Sequence, residues 1–243
     1  MRRRGLVALT LAIVVVIWRQ QLASIRVIRW LDQRSGIDGP SGARIYDALL
    51  APLANWLYER VAADVATTLG ERVAPTIVDV GTGPGLLLIA IAALCPTATI
   101  IGIDPAEPMR AAAGRRLARA HVTHQISVIA GAAEHLPLPD SSVDLVVSSL
   151  ASHHWSEPAT AIRELLRVLR PGSCALVYDL RFVGFTDREL DALAMLAGVE
   201  RAAITRRTLR GGLLRLFAQV TLTAPGVPVG DRQHPHRTPS RRT

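Results

Sequence analysis

The chain contains no lysine; its 28 strongly basic residues are all arginine. A nicotinamide oxidoreductase built on a Tyr-x-x-x-Lys pair is therefore disfavoured. Aromatic residues are scarce, 4% against 49% hydrophobic residues in all. The interior must then be assembled from Ala, Val, Leu and Ile, as in parallel sheets covered by helices. Only two cysteines occur, Cys95 and Cys174, each in an apolar run and without CxxC or Cys/His spacing. That argues against a disulfide framework or a zinc site and leaves two buried thiols. Also missing is a central basic stripe interleaved with aromatics. The net charge is +8, but much of the excess sits at the ends, in Arg2, Arg3 and Arg4 and in Arg232, Arg237, Arg241 and Arg242. No nucleic-acid partner is indicated.

A length of 243 residues suits one domain with extra segments at its ends. Residues 1–34 open with the arginine cluster and continue into an apolar run from Leu6 to Trp18. As a helix that run would cover about 20 Å, short of the roughly 30 Å hydrocarbon core of a bilayer. Leu22, Ile25, Ile28 and Leu31 follow near helical spacing, with Arg19, Arg26, Arg29 and Gln33 on the other faces. The pattern predicts an amphipathic segment that holds the protein to a membrane surface. No compact cleavage site follows, so an anchor is expected in place of a removed leader; the expected location is cytoplasmic, with this segment at the inner face of the membrane, although its flanking charges assign no orientation. Residues 35–74 hold a Gly/Pro loop and a helical pattern from about Ala43 to Leu69. Residues 225–243, rich in Pro, Arg and His, read as a solvated tail in which His234 and His236 bind no metal.

Between these ends, residues 75–224 alternate short β-branched runs with helical stretches. The runs are TIVDV, ATIIGID, QISVIA, VDLVVSS and CALVYDL. Five strands in βα alternation predict a three-layer α/β domain, a Rossmann-like, mostly parallel sheet with helices on both faces. Two further strands, Val199–Thr205 and Leu213–Thr223, are expected at the sheet edge, the last of them antiparallel.

The chemistry-bearing stretch is Asp79-Val80-Gly81-Thr82-Gly83-Pro84-Gly85, where a strand runs into a glycine turn and a helix. Such a turn lets backbone approach a ligand closely at the carboxyl edge of the sheet. Asp104 closes the second strand about 20 residues later, where a carboxylate can receive ribose hydroxyls. Together they point to a nucleoside-containing ligand. A dinucleotide turn would want a small residue at the sixth position, where this chain has Leu86.

The spacing Asp-x-Gly-x-Gly-x-Gly resembles that of class I S-adenosylmethionine-dependent methyltransferases, closest to their small-molecule and quinone-type branch. The resemblance extends through GIDPAEPM (102–109), GAAEHLPLPDSSVDLVVSSLASHHW (131–155) and IRELLRVLRPGSCALVYDL (162–180). It implies S-adenosylmethionine as cofactor, with Gly81, Thr82, Gly83 and Gly85 around the methionine part and Asp79 facing its ammonium. By the same analogy Asp104 holds the ribose, and Pro105, Ala132 and Ala133 lie near the adenosine, with Ile103 and Met109 ranked after them. The family usually reads Gly-Asp-Ala-Glu where this chain has Gly131-Ala132-Ala133-Glu134, so one acceptor for the adenine amino group is missing. For the chemistry, His153 and His154 are the candidate bases at the end of the fourth strand, or else they pack around Trp155 and hydrogen-bond the loop. Asp144 is expected to be structural, and Asp179 is a weaker candidate at the site edge.

The implied activity is methyl transfer to a small, apolar acceptor. Two alternatives stay open. Ala132 would suit a non-catalytic methyltransferase-like binding or scaffold protein at the membrane, and an oxidoreductase remains as a third, disfavoured reading.

Overall fold

A computed structural model describes residues 51–181, 184–211 and 214–226. Residues 1–34 with their expected membrane contact, the loop at 36–42, and His234 and His236 all lie outside the described residues.

Helix α1 (Ala51–Leu69) leads into β1 (Thr76–Val80), and α2 (Leu86–Leu94) into β2 (Thr99–Asp104). Then come α3 (Glu107–Ala120), β3 (Ile126–Ala130), β4 (Val143–Ser149) and a 3₁₀ turn at Ser152–His154. Helix α4 (Pro158–Val168), β5 (Leu169–Leu180), α5 (Asp187–Ala197), β6 (Ile204–Gly211) and β7 (Leu214–Thr223) complete the order. The seven strands form one sheet in the order β3-β2-β1-β4-β5-β7-β6. Only β7 runs against its neighbours, slotting between β5 and β6.

Two apolar layers hold the sheet. Leu57, Val61 and Val65 of α1 and Leu88 and Ile91 of α2 pack with Ile77, Leu145 and Val147 on one face. Ile162 and Leu165 of α4 and Leu190 and Ala194 of α5 pack with Val78, Val146 and Val177 on the other. The sequence LLLIAIAAL makes α2 apolar all round, as a helix enclosed on several sides must be. In α4 the apolar residues fall on one face, and Ala161, Ile162, Leu165 and Val168 are buried. Thr186 and Glu189 form a reciprocal capping box at the start of α5, and Gly198, at φ 68°, ends it. Helix α1 belongs to the same core as the sheet, so the folded unit extends at least to Ala51.

Three expectations are corrected. The strand expected at Val199–Thr205 begins only at Ile204, because Val199 N–H still bonds Ala194 at the end of α5 and Arg201–Ala203 form a 3₁₀ turn. Strand β5 begins at Leu169, directly after α4. Leu169 pairs with Val143 of β4 and regular pairing resumes only at Cys174, so Pro171 stands in an irregularity of the ladder, where its missing N–H breaks no register pair. Cys95 is buried as expected, but Cys174 is only half-buried.

The strand order reverses between β2-β1 and β4-β5. The carboxyl ends of β1 and β4 therefore diverge into helices on opposite faces and leave a crevice between them.

Candidate functional site

The crevice is floored by the turn after β1. Gly81 has φ 76°, and a Cβ there would stand 2.4 Å from the Ala151 methyl, so the exit loop of β4 rests directly on its backbone. Gly81 and Thr82 donate their N–H groups to the Ile103 carbonyl at 2.8 and 3.1 Å. Asp104 braces the same turn. One of its carboxylate oxygens accepts from Gly83 N–H at 2.7 Å, the other from Ala106 N–H at 2.9 Å. Gly85 serves packing: at φ 79°, a Cβ would lie 3.0 Å from the Ala113 methyl of α3.

Asp79 is buried at 1% exposure. Its Oδ2 accepts from the Thr82 hydroxyl at 2.7 Å, while Oδ1 has no hydrogen-bond partner among the described residues. Burial pushes its pKa up to about 7, against the lowering effect of the Thr82 hydrogen bond and with a further push from the negative charge of Asp104. A bare, buried carboxylate oxygen beside a glycine turn is an acceptor prepared for a cationic donor.

A cleft of about 350 Å³ opens above these groups. Asp79, Gly81, Thr82, Gly83, Asp104, Pro105, Ala132, Ala133 and His154 line it, as does Met109, whereas Gly85, Ile103 and His153 do not. Tyr58, Ser149, Leu150 and Trp155 also face it. Trp155 is marked in sequence only by its histidine neighbours. Tyr58 and Ser149 carry no local signal, since one sits in an ordinary amphipathic helix and the other ends an apolar strand.

The wall formed by residues 131–140 is tied to α4 and the loop before it. Glu134 Oε1 accepts from Ser156 N–H at 2.6 Å, from the Ser156 hydroxyl at 3.0 Å and from Glu157 N–H at 3.2 Å. Burial alone would raise the Glu134 carboxyl, but these bonds hold it below the ordinary range. Arg167 donates to the carbonyls of Leu136 and Leu138 and to Asp140 and Glu164, and Glu164 accepts from Leu136 N–H. The Ala132 carbonyl accepts from His135 N–H at 3.1 Å. Hydrogen bonds brace this wall on several sides, yet Ala132 brings no polar side chain to the cleft.

The 3₁₀ turn divides the two histidines. Asp179, buried at the end of β5, accepts from the Ser152 hydroxyl at 2.6 Å, from Leu180 N–H at 2.8 Å and from His153 N–H at 3.2 Å. The His153 ring lies against the same carboxylate, Nδ1 to Oδ2 2.9 Å. His154 faces the cleft, its ring centroid 4.1 Å from that of His153. Asp144 is far from this edge. It accepts from Thr76 N–H at 2.9 Å and pairs with Arg72 and Arg170, pinning the opposite ends of β1, β4 and β5.

Residues 78–177 match the family described as a methyltransferase domain. An uncharacterized methyltransferase of Mycobacterium ulcerans is 35% identical over 170 residues, covering 68% of this chain and 61% of that protein. A malonyl-[acyl-carrier protein] O-methyltransferase of a Marinomonas species is 37% identical over 99 residues, 41% of this chain and 36% of that one. The chain thus spans less than two thirds of the length of these relatives. A SAM-dependent methyltransferase structure from Aquifex aeolicus superposes with a TM-score of 0.60 at 22% identity, covering 76% of this chain and 98% of that one. The family match and the fold agree: residues 78–177 carry a methyltransferase domain, set in the fold of class I S-adenosylmethionine-dependent methyltransferases.

Proposed function

We propose that the protein binds S-adenosylmethionine in this cleft and transfers its methyl group to a small, apolar acceptor. The observation that carries the reading is the bare Oδ1 of buried Asp79, set beside a glycine turn and one strand over from the Asp104 carboxylate, at the point where the strand order reverses. These residues fit the cofactor's two polar ends, the ammonium at Asp79 and the ribose hydroxyls at Asp104. Pro105, Met109, Ala132 and Ala133 offer the apolar wall for the adenine.

When bound, the cofactor supplies a methyl group already activated on a sulfonium. What remains for the chain is alignment, exclusion of water and, for an acceptor with a proton to lose, a base. Tyr58, Leu150, Ala151 and Trp155 provide the largely apolar acceptor side. His154 is the base facing it. His153, fastened to Asp179, supports that turn and does not reach the acceptor. The malonyl-[acyl-carrier protein] relative covers too little of either chain to fix the acceptor class.

Ala132 favours a second reading, a non-catalytic binding module, because the adenine amino group would lack a side-chain acceptor while Glu134 Oε1 is engaged by Ser156 and Glu157. Calorimetric titration of the full chain with S-adenosylmethionine, and separately with a nicotinamide dinucleotide, separates the readings. Micromolar binding of the first alone is expected, followed by methylation of members of a phenol and quinol panel. Binding without any transfer would favour the non-catalytic module, and binding of neither ligand would sink the methyltransferase reading and mark Ala132 as the sign of a lost cofactor site. Asp104→Ala is expected to weaken S-adenosylmethionine by tenfold or more, and unchanged affinity would remove the ribose assignment.

The proposal also keeps residues 1–34 at a membrane surface, supported by their composition. Among the described residues no helix is long and apolar enough to cross a membrane. Co-sedimentation of the full chain, but not of the chain lacking 1–34, with anionic vesicles is the expected result.

A further inference from the structure

Helix α3 lies against both turns that line the cleft. Its Ala113 methyl fills the space left by Gly85, 3.0 Å from where a Cβ would stand, and Arg116 Nη1 donates to the Pro84 carbonyl at 2.5 Å. Arg110, on the same helix, turns back to the end of β2. Its Nη1 donates to the Asp104 carbonyl at 2.9 Å and to the Pro105 carbonyl at 2.7 Å, and that nitrogen has one hydrogen for each. Asp104, Pro105, Ala106 and Met109 line the cleft, and Arg110 is not among the lining residues. Any effect of Arg110 on a ligand therefore passes through its neighbours.

The peptide unit between Pro105 and Ala106 links the arginine to the acid. Its carbonyl accepts from Arg110, and its N–H donates to Asp104 Oδ1 at 2.9 Å. A peptide unit is planar, so a cation that fixes the direction of the carbonyl fixes that of the N–H as well. The same cation polarises the unit and strengthens the bond that the N–H makes. The other carboxylate oxygen is held independently, by Gly83 N–H at 2.7 Å. Nothing else local fastens this corner with a side chain. The N-cap position of α3 is Ala106, which makes no side-chain cap bond, and Pro105 has no N–H to donate. Arg110 thus ties down the chain between β2 and α3 and, with it, one of the two bonds that aim the Asp104 carboxylate.

We propose that Arg110 is a positioning residue for the ribose: through the Pro105–Ala106 peptide it sets the direction of the Asp104 carboxylate, and so the preference of the site for a ribose over a deoxyribose. This rests on the reading of Asp104 as the acid that receives the ribose hydroxyls of S-adenosylmethionine.

The test is calorimetry on the full chain, wild type, Arg110→Met and Arg110→Gln. The probes are S-adenosylhomocysteine, 5′-methylthioadenosine and the 2′-deoxy form of that nucleoside. The wild type is expected to prefer the ribose nucleoside to the deoxyribose one by about tenfold, the effect of one hydrogen bond to a charged group. Both variants should weaken S-adenosylhomocysteine and 5′-methylthioadenosine by about fivefold and leave the deoxy form within about twofold, so that the preference shrinks. In the Asp104→Ala background, Arg110→Met should change the affinity for S-adenosylhomocysteine by less than about twofold, because the group it positions is gone. A ribose preference kept in full by the folded variants overturns the proposal. So does a loss shared equally by the two nucleosides, or one that adds in full to the loss from Asp104→Ala, since either marks Arg110 as structural only. Failure of both variants to fold marks it so too. A wild type that binds none of the probes removes the cofactor reading itself, and one that binds both nucleosides alike removes the ribose assignment of Asp104, whereas a wild-type preference untouched in the variants removes only the role of Arg110.

Discussion

Asp79 has one carboxylate oxygen bonded to Thr82 and the other bare, and burial is the largest influence on its ionisation. In the ligand-free protein its pKa stands at about 7, above the ordinary 3.8. A carboxyl raised on folding binds its proton more tightly in the native state. Its contribution to stability is therefore full below the unfolded pKa and is lost as pH rises through about 7. A cationic ammonium reverses the preference, because it favours the carboxylate. Affinity for S-adenosylhomocysteine is expected to be level above about pH 8 and to fall below pH 7, approaching tenfold per pH unit. Over the same range the ligand-free melting temperature should drift downward as pH rises. Calorimetry at half-unit intervals from pH 5.5 to 8.5 checks this, with Asp79→Asn as the control that flattens both trends. An affinity independent of pH in the wild type would mean that the carboxyl does not face the ammonium.

At the scale of elements, the strand-turn-helix from Thr76 to Leu94 and the acid ending β2 were legible because each is a local pattern: β-branched run, glycines, apolar helix, carboxylate. The five parallel strands β1–β5 were legible for the same reason. The 3₁₀ turn at Ser152–His154 was not. Two adjacent histidines look equivalent in sequence, and what separates them is Asp179, 26 residues away from His153, which takes the His153 ring and leaves His154 to the cleft. Tyr58 and Ser149 were missed because their site role is set by strand order and helix packing, which no local spacing encodes. The start of β6 was misread because Val199, Ile204 and Thr205 are β-branched, while the hydrogen bonds closing α5 keep Val199 with the helix. The role of the turn can be checked without knowing the acceptor. In the neutral His153 ring, the nitrogen against the Asp179 carboxylate carries the proton. ¹H–¹⁵N spectra should therefore show a downfield, exchange-protected Nδ1–H that disappears in Asp179→Asn. The same variant is expected to bind S-adenosylhomocysteine within threefold of wild type, since neither Asp179 nor His153 lines the cleft. Persistence of the protected proton in the variant would remove Asp179 as the group that orients the turn.

Across the whole molecule, helix α1 is joined to the far edge of the sheet by a polar chain that starts at buried Tyr178 and ends at exposed Arg207. Tyr178 of β5, fully buried, donates its hydroxyl to Asp64 of α1 at 3.0 Å and accepts from Gln219 Nε2 of β7 at 2.8 Å. Arg207 of β6 donates to Gln219 Oε1 and, at 3.0 Å, to Asp64 Oδ2. Four elements separated by up to 143 positions in sequence are fixed by four side chains. Burial, with the negative charge of Asp64, holds the phenol well above its ordinary pKa, so it remains a neutral donor throughout the working range. Arg207 has a second effect, since it and Arg206 put charge on the outermost strand and discourage another chain from pairing there. Tyr178→Phe removes both bonds of the hydroxyl at once and leaves the Gln219 amide donor buried without its partner. The unfolding free energy in urea is expected to drop by about 1–3 kcal/mol with an unchanged slope. Adding Gln219→Leu should recover part of that loss, because the orphaned donor is then gone, and the two effects should be clearly non-additive. Affinity for S-adenosylhomocysteine should stay within twofold in both variants, as neither side chain lines the cleft. Strictly additive losses would show that Tyr178 and Gln219 act independently, and a parallel fall in ligand affinity would show that this chain of contacts sets the shape of the cleft as well as the stability of the fold.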